Sequence, residues 1–265
     1  MKKFELTSNT KIWFGRKLFQ IKALVSFGNV KEGDLGGYIE KEGNLDHDGN
    51  AWVSGNAWVS GNARVSGDAM VSGNAEVSGN ARVSGNARVS GNAWVSGDAM
   101  VSGNAEVSGD ARVYGNAWVY GNARVSGNAE VSGNARVYGD ARVYGNARVS
   151  GNAWVYGNAR VSGDAWVYGD ARVSGNAWVY GDAEVSGDAR VSGNADYATV
   201  KGFGREFRNT TFFRCKDSSI KVVCGCFFGT LQEFREKVKD THKDSKMGRE
   251  YLMIADLMEL HFKED

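Results

Sequence analysis

From Gly49 the sequence repeats Gly-Asn/Asp-Ala-x-Val-Ser/Tyr every six residues without insertion, ending with the rung Gly193-Asn194-Ala195. Within a rung, Ala-x-Val alternates small apolar, variable and β-branched residues. This is the period-two signature of a short strand with one buried face, so alanine and valine are expected to point inward. The Ser/Tyr-Gly-Asn/Asp triplet that follows supplies glycine freedom and the Asn/Asp tolerance of left-handed backbone angles that a sharp corner needs. A three-residue strand and a three-residue corner then make one side of a coil. Burying one valine contributes roughly 1.5–3 kcal/mol, whereas ordering each residue costs on the order of 1.5 kcal/mol, so no rung is stable alone. Rungs must stack, each strand pairing with the one above at about 4.8 Å. The chain contains no proline, as suits backbone N–H groups that donate to a neighbouring coil.

Lys+Arg and Asp+Glu nearly cancel, at 32 and 31. No overall charge therefore draws the chain to nucleic acid or to an anionic membrane, and an electrostatic partner would need a local patch. The N-terminus lacks the apolar core of a signal peptide, and no stretch approaches the roughly 18 apolar residues of a membrane span. Three cysteines, Cys215, Cys224 and Cys226, do not form a secreted disulfide framework. These features predict a soluble protein of a reducing cytoplasm.

The inward aliphatic residue, the small residue two places earlier and the asparagine-bearing corner resemble the hexapeptide-repeat β-helix proteins over residues 37–196. That resemblance implies a left-handed, three-sided parallel β-helix of about nine coils. Periodicity alone leaves a two-sided coil of twelve residues open. The flanks Gly33-Asp34-Leu35-Gly36-Gly37-Tyr38-Ile39-Glu40, Gly43-Asn44-Leu45 and Cys224-Gly225-Cys226-Phe227-Phe228-Gly229-Thr230 resemble a narrower group, the YdcK-like β-solenoid proteins, often prophage-encoded. The resemblance implies a phage or prophage origin.

A parallel solenoid exposes unpaired backbone and open core at both ends unless they are covered. Residues 1–36 read as an N-terminal β cap, with a hairpin of strands at 4–7 and 11–14, a turn at Gly15-Arg16, and Phe19, Ile21, Ala23 and Val25 alternating on the returning strand. Residues 197–265 read as an α+β cap, with strands near 210–215 and 220–224 and two helices. The first helix opens on the capping box Thr230–Glu233 and carries Leu231, Phe234 and Val238 on one stripe. The second, about 248–261, aligns Tyr251, Ile254, Ala255 and Met258. Both stripes are expected to pack against the last coil.

Many hexapeptide β-helix proteins are acyltransferases, which need a histidine base. Here His47, His242 and His261 all lie outside residues 49–196. His47 occupies the valine position of an early rung, where a hydrogen-bonded structural role is expected, and the other two fall in cap helices without a triad. No catalytic residue and no cofactor are assigned. Cys215, Cys224, Cys226 and His242 could supply four zinc ligands, but Cys-x-Cys is a weak match to structural knuckles, and small buried thiols are the commoner outcome.

With eighteen residues per coil the outward positions sort into three ladders. The first reads Trp52, Met70, Arg88, Glu106, Arg124, Arg142, Arg160, Trp178. The second, Trp58, Glu76, Trp94, Arg112, Glu130, Arg148, Trp166, Glu184, mixes signs and aromatics as a self-stabilised face would. The third, Arg64, Arg82, Met100, Trp118, Arg136, Trp154, Arg172, Arg190, has no acid, and its corner carries Tyr120, Tyr138 and Tyr156. Exposed Trp, Tyr and Arg are enriched in binding hot spots, although Arg-over-Trp stacking can equally serve only to cover a sheet. The expectation is a non-enzymatic scaffold that binds a protein partner, or itself as a dimer or trimer, through this third side. The alternatives are an acyltransferase, or single-stranded nucleic acid or polysaccharide stacking on the aromatics. Ice binding is excluded, because no outward ladder contains threonine.

Overall fold

Hydrogen-bonded partners along the array lie eighteen residues apart: Trp52 pairs with Met70, Arg88 with Glu106 and Trp118 with Arg136. Three rungs therefore make one coil, which rules out the two-sided alternative. The computed structural model describes residues 1–263. Its rungs form three parallel sheets; two have eight strands, and the third is extended to eleven by the N-terminal strands. The alanines and valines of the rungs from Ala51 to Val191 are essentially inaccessible and form one continuous core.

The strands are shorter than the sequence suggests. Only the outward residue and its valine form the ladder, as in Met100–Val101. In serine rungs the alanine N–H turns back to the serine carbonyl, for example Ala75 to Ser72 at 3.3 Å. That bond closes a Ser-Gly-Asn-Ala turn with glycine second, at φ between +58° and +73° from Gly49 to Gly187. No corner Asn or Asp adopts positive φ, so the expected left-handed role for them is incorrect. They stack instead: Asn56 donates to Asn74, Asn74 to Asn92 and Asn92 to Asp110 at 2.8–3.2 Å. The run stops at Asp110, whose carboxylate has no N–H to pass on, and restarts at Asn128, which donates to Asn146. Glycine is also required sterically, since a Cβ on Gly103 would lie 3.0 Å from the backbone N and O of Gly121.

The ends are chemically unlike. Amides at the outward, Ser/Tyr and Asn/Asp positions all donate toward the C-terminal end, as in Arg88 to Ala105, Ser90 to Val107 and Asn92 to Gly109. The first coil is thus left with unmatched carbonyls and the last with unmatched N–H groups. At the first coil, the buried Lys3 ammonium donates to the carbonyls of Gly49 and Ala51. The Asn44 amide donates to those of Gly61 and Ala63. The hairpin Phe4–Trp13 and Arg16–Ala23 continues the remaining side through Leu35–Ile39, which pairs in parallel with Trp58–Val59. It is longer than expected and turns at Phe14-Gly15.

At the last coil the caps are acceptors. Asn194 Oδ1 takes the Trp178 N–H, Thr211 Oγ1 that of Glu184, and Asp196 Oδ2 those of Ser192 and Gly193. An antiparallel sheet follows, with strands Tyr197–Val200, Thr210–Arg214, Ile220–Cys224 and Phe227–Thr230. Two of these, the first and the last, were not foreseen from the sequence. One face of the sheet sends Tyr197, Phe213 and Val223 into the solenoid core. Its other face packs Phe212 and Val222 against α1 (Leu231–His242) and α2 (Lys246–Phe262). The helix stripes thus rest on this sheet rather than on the last coil as expected. A strand row leaves its two faces equally apolar, and here both are used.

Candidate functional site

The third ladder exists as a physical column. Register places Arg64, Arg82, Met100, Trp118, Arg136, Trp154, Arg172 and Arg190 one above another. Its two ends are occupied: Arg64 pairs with Asp46 at 2.7 Å, and Arg190 donates to the carbonyls of Asp170, Asp188 and Ala189. In the middle coils, Arg136 lies between Trp118 and Trp154, 5.0 and 5.1 Å from their rings, and Arg172 sits 4.6 Å from Trp154. Each such contact contributes about 0.5–1 kcal/mol at an exposed site, enough to hold the side chains flat without hiding them. Trp118 remains 41% exposed.

Beside this column the corner tyrosines stack face to face, Tyr120 on Tyr138 at 4.9 Å and Tyr138 on Tyr156 at 5.0 Å, with planes 3° apart. The spacing is the coil repeat itself, so the rungs dictate it. Burial in the middle of the stack, with Tyr120 and Tyr156 on either side, pushes the Tyr138 hydroxyl above its ordinary value. An apolar groove beside the stack is lined by Met100, Ser102, Trp118 and Tyr120. The result is a rigid, flat, aromatic and cationic strip.

The other two sides differ. On the second, Trp94 and Trp166 anchor their indole N–H on Ser78 and Ser150 of the preceding coil, and the Tyr114 hydroxyl donates to Glu130. At the N-terminal end, Trp58 and Trp52 are covered by Trp13 and Phe27 of the cap. The first side stacks Arg124, Arg142 and Arg160 in register. Like charges about 4.8 Å apart repel by roughly 1 kcal/mol per pair even in water.

Each histidine has an aromatic neighbour. His47 stacks on Phe4 at 4.3 Å, accepts the Lys3 N–H on Nδ1 and donates from Nε2 to Glu42. His242 lies against Tyr251, and His261 against Phe262. Cys215 bridges Ala189 beneath the last coil, where burial first, then Asp188, pushes its thiol up to about 12. Cys224 accepts from Thr210 Oγ1 at 3.2 Å, whereas Cys226 is exposed. Among the described residues no three His, Cys, Asp or Glu side chains gather as a metal site, so Cys215, Cys224, Cys226 and His242 do not assemble the zinc set. Sequence reasoning missed Lys3 and Asn44, because nothing local distinguishes a capping lysine or asparagine from a solvated one.

Residues 63–79, 75–91 and 81–97 match the YdcK β-solenoid repeat model. Over that stretch the coils are similar to YdcK β-solenoid repeats. Residues 93–196 of the same repeat array also match the Bactofilin model, a family described as polymer-forming cytoskeletal. Neither match extends into the N-terminal hairpin or beyond residue 196. No curated protein matches the chain.

Proposed function

We propose that the protein is a non-enzymatic scaffold that associates side by side, with further copies of itself or with a protein partner, through the Arg/Trp/Tyr strip of the third side. The observation that carries this reading is the contrast between ends and flank. Both ends are closed by dedicated side chains, while the middle coils of one flank present Trp118, Tyr120, Tyr138, Tyr156 and Trp154 in rigid register. Aromatic anchors held in place lose little rotamer freedom on binding, which is why they dominate interface energetics. The Bactofilin likeness favours self-association over a foreign partner. A cytoplasmic setting and a phage or prophage origin accord with the family resemblance, and no helix among the described residues is long and apolar enough to cross a membrane.

The test is the mass in solution, together with pull-down partners, of the Trp118→Ser/Trp154→Ser double variant. Loss of association is expected. Unchanged mass and unchanged partners would remove the third side from consideration. The acyltransferase reading finds no support on the coils, since residues 49–196 hold no histidine to act as base.

A further inference from the structure

We infer that the first side of the solenoid carries a binding site for a linear oligophosphate, formed by Arg124, Arg142 and Arg160. These three arginines are neighbours in a parallel sheet, each directly over the next. Like charges directly opposite one another across strands destabilise a sheet. Elsewhere the protein relieves this arrangement: Arg64 beside Arg82 is neutralised by Asp46, and Arg172 beside Arg190 lies on Trp154 while Arg190 is held by backbone carbonyls. On the first side there is almost no relief. Arg124 has a loose contact with Glu106 at 3.8 Å. Among the described residues, Arg142 and Arg160 have no ion pair, side-chain hydrogen bond or aromatic ring of their own. Three exposed arginines thus project from one face, their backbones stacked at the rung spacing.

Between them lies an open groove of about 270 Å³ lined by Arg124, Ser126, Arg142, Tyr144 and Arg160. Two hydroxyls therefore sit beside the cations as further donors. Planar guanidinium groups bind phosphate oxygens in pairs of parallel hydrogen bonds. A column of three, about 4.8 Å apart, suits an anion whose charges are strung along a line rather than gathered at one centre. Glu106 below Arg124 repels any extension of an anion in that direction, which limits the row to three positions. In the other direction the next residue is Trp178, 40% exposed, with its indole N–H fixed on Ser162. The shared chemistry is a chain of phosphates, whose source is either a free inorganic oligophosphate or the polyphosphate of a nucleotide, with its base placed near Trp178.

Isothermal titration of the full chain with tripolyphosphate, orthophosphate and ATP tests the site. Tripolyphosphate is expected to bind at one site per chain, at least tenfold tighter than orthophosphate, with affinity falling as salt rises. Arg142→Gln should weaken binding tenfold or more, whereas Arg112→Gln, which removes an exposed arginine of the second side, should not change it. Tripolyphosphate should raise the melting temperature of the wild type and leave that of Arg142→Gln unmoved. ATP binding weakened by Trp178→Ala identifies the nucleotide as the source; ATP binding indifferent to Trp178→Ala identifies the bare oligophosphate. The inference is overturned if none of the probes binds, if orthophosphate binds as tightly as tripolyphosphate, or if Arg112→Gln weakens binding as much as Arg142→Gln. It is also overturned if a single-stranded oligonucleotide binds more tightly than tripolyphosphate.

Discussion

Inside the array, the amide of Arg88 donates to Ala105 one coil on, and every other outward residue there has an equivalent partner because the next coil is a copy of its own. At the ends there is no next coil, and single side chains stand in: Lys3 and Asn44 at one end, Asn194, Thr211 and Asp196 at the other. The array is satisfied by repetition and the caps by individual residues. A defect in the array is therefore felt by two neighbouring coils, whereas a defect in a cap opens the end of a whole sheet.

The largest effect is expected at the corner glycines. Gly103→Ala must hold a left-handed φ and meet the Gly121 backbone at 3.0 Å, a combined loss of about 3 kcal/mol. Gly181→Ala keeps the same φ requirement, but nothing lies within 4 Å of its Cβ, so only about 1 kcal/mol is expected. Urea denaturation of the two variants gives the difference directly. Equal losses would mean that coil stacking does not constrain the corners.

Next in size is the cap amide. Asn44→Ala strands two carbonyls, that of Ala63 buried and that of Gly61 partly buried, and should lower stability by roughly 2 kcal/mol. Hydrogen exchange should show the first coils opening before the middle of the array. Uniform exchange along the chain would contradict a localised role for the cap.

A smaller, pH-dependent effect is expected at the opposite end. Burial works to raise the Asp196 pKa, but the Ser192 hydroxyl, the Ser192 and Gly193 amides and Arg214 together hold it below the ordinary 3.8. Its contribution is present above that value and is lost as pH falls through the lowered one. Melting curves taken from about pH 5 down to about pH 2 should therefore fall more steeply for the wild type than for Asp196→Asn. Parallel curves would remove Asp196 as the cap. The smallest change sharpens the comparison from the array side: Asp110→Asn should join two interrupted asparagine runs and raise stability by about 0.5 kcal/mol, read as a shift in the denaturation midpoint.

The array was legible because Gly, Ala and Val recur with a strict period, and each has one physical use at its place. The corner asparagines misled, since their tolerance of left-handed angles is real but glycine already supplies the turn, which leaves the amides free to stack. The caps were legible only as elements. Thr230 and Glu233 announced α1 through reciprocal hydrogen bonds that sequence spacing encodes. What the helices pack against was not encoded locally, because the intervening sheet uses both faces and includes the short strand Phe227–Thr230. In the candidate site, the third column could be read from an interval of eighteen. The isolation of Arg142 and Arg160 could not, because it depends on which neighbours relieve charge and which do not.

With both ends closed, association should be left to the flanks. Light scattering over a wide concentration range, on the full chain and on a chain ending at residue 193, which lacks Asn194, Asp196 and Thr211, tests this most directly. The full chain should level off at a small whole-number multiple of its 28.6 kDa, while the shortened chain, its last-coil N–H groups uncovered, should grow without a plateau. Open-ended growth of the full chain, or a plateau shared by both, would contradict the account.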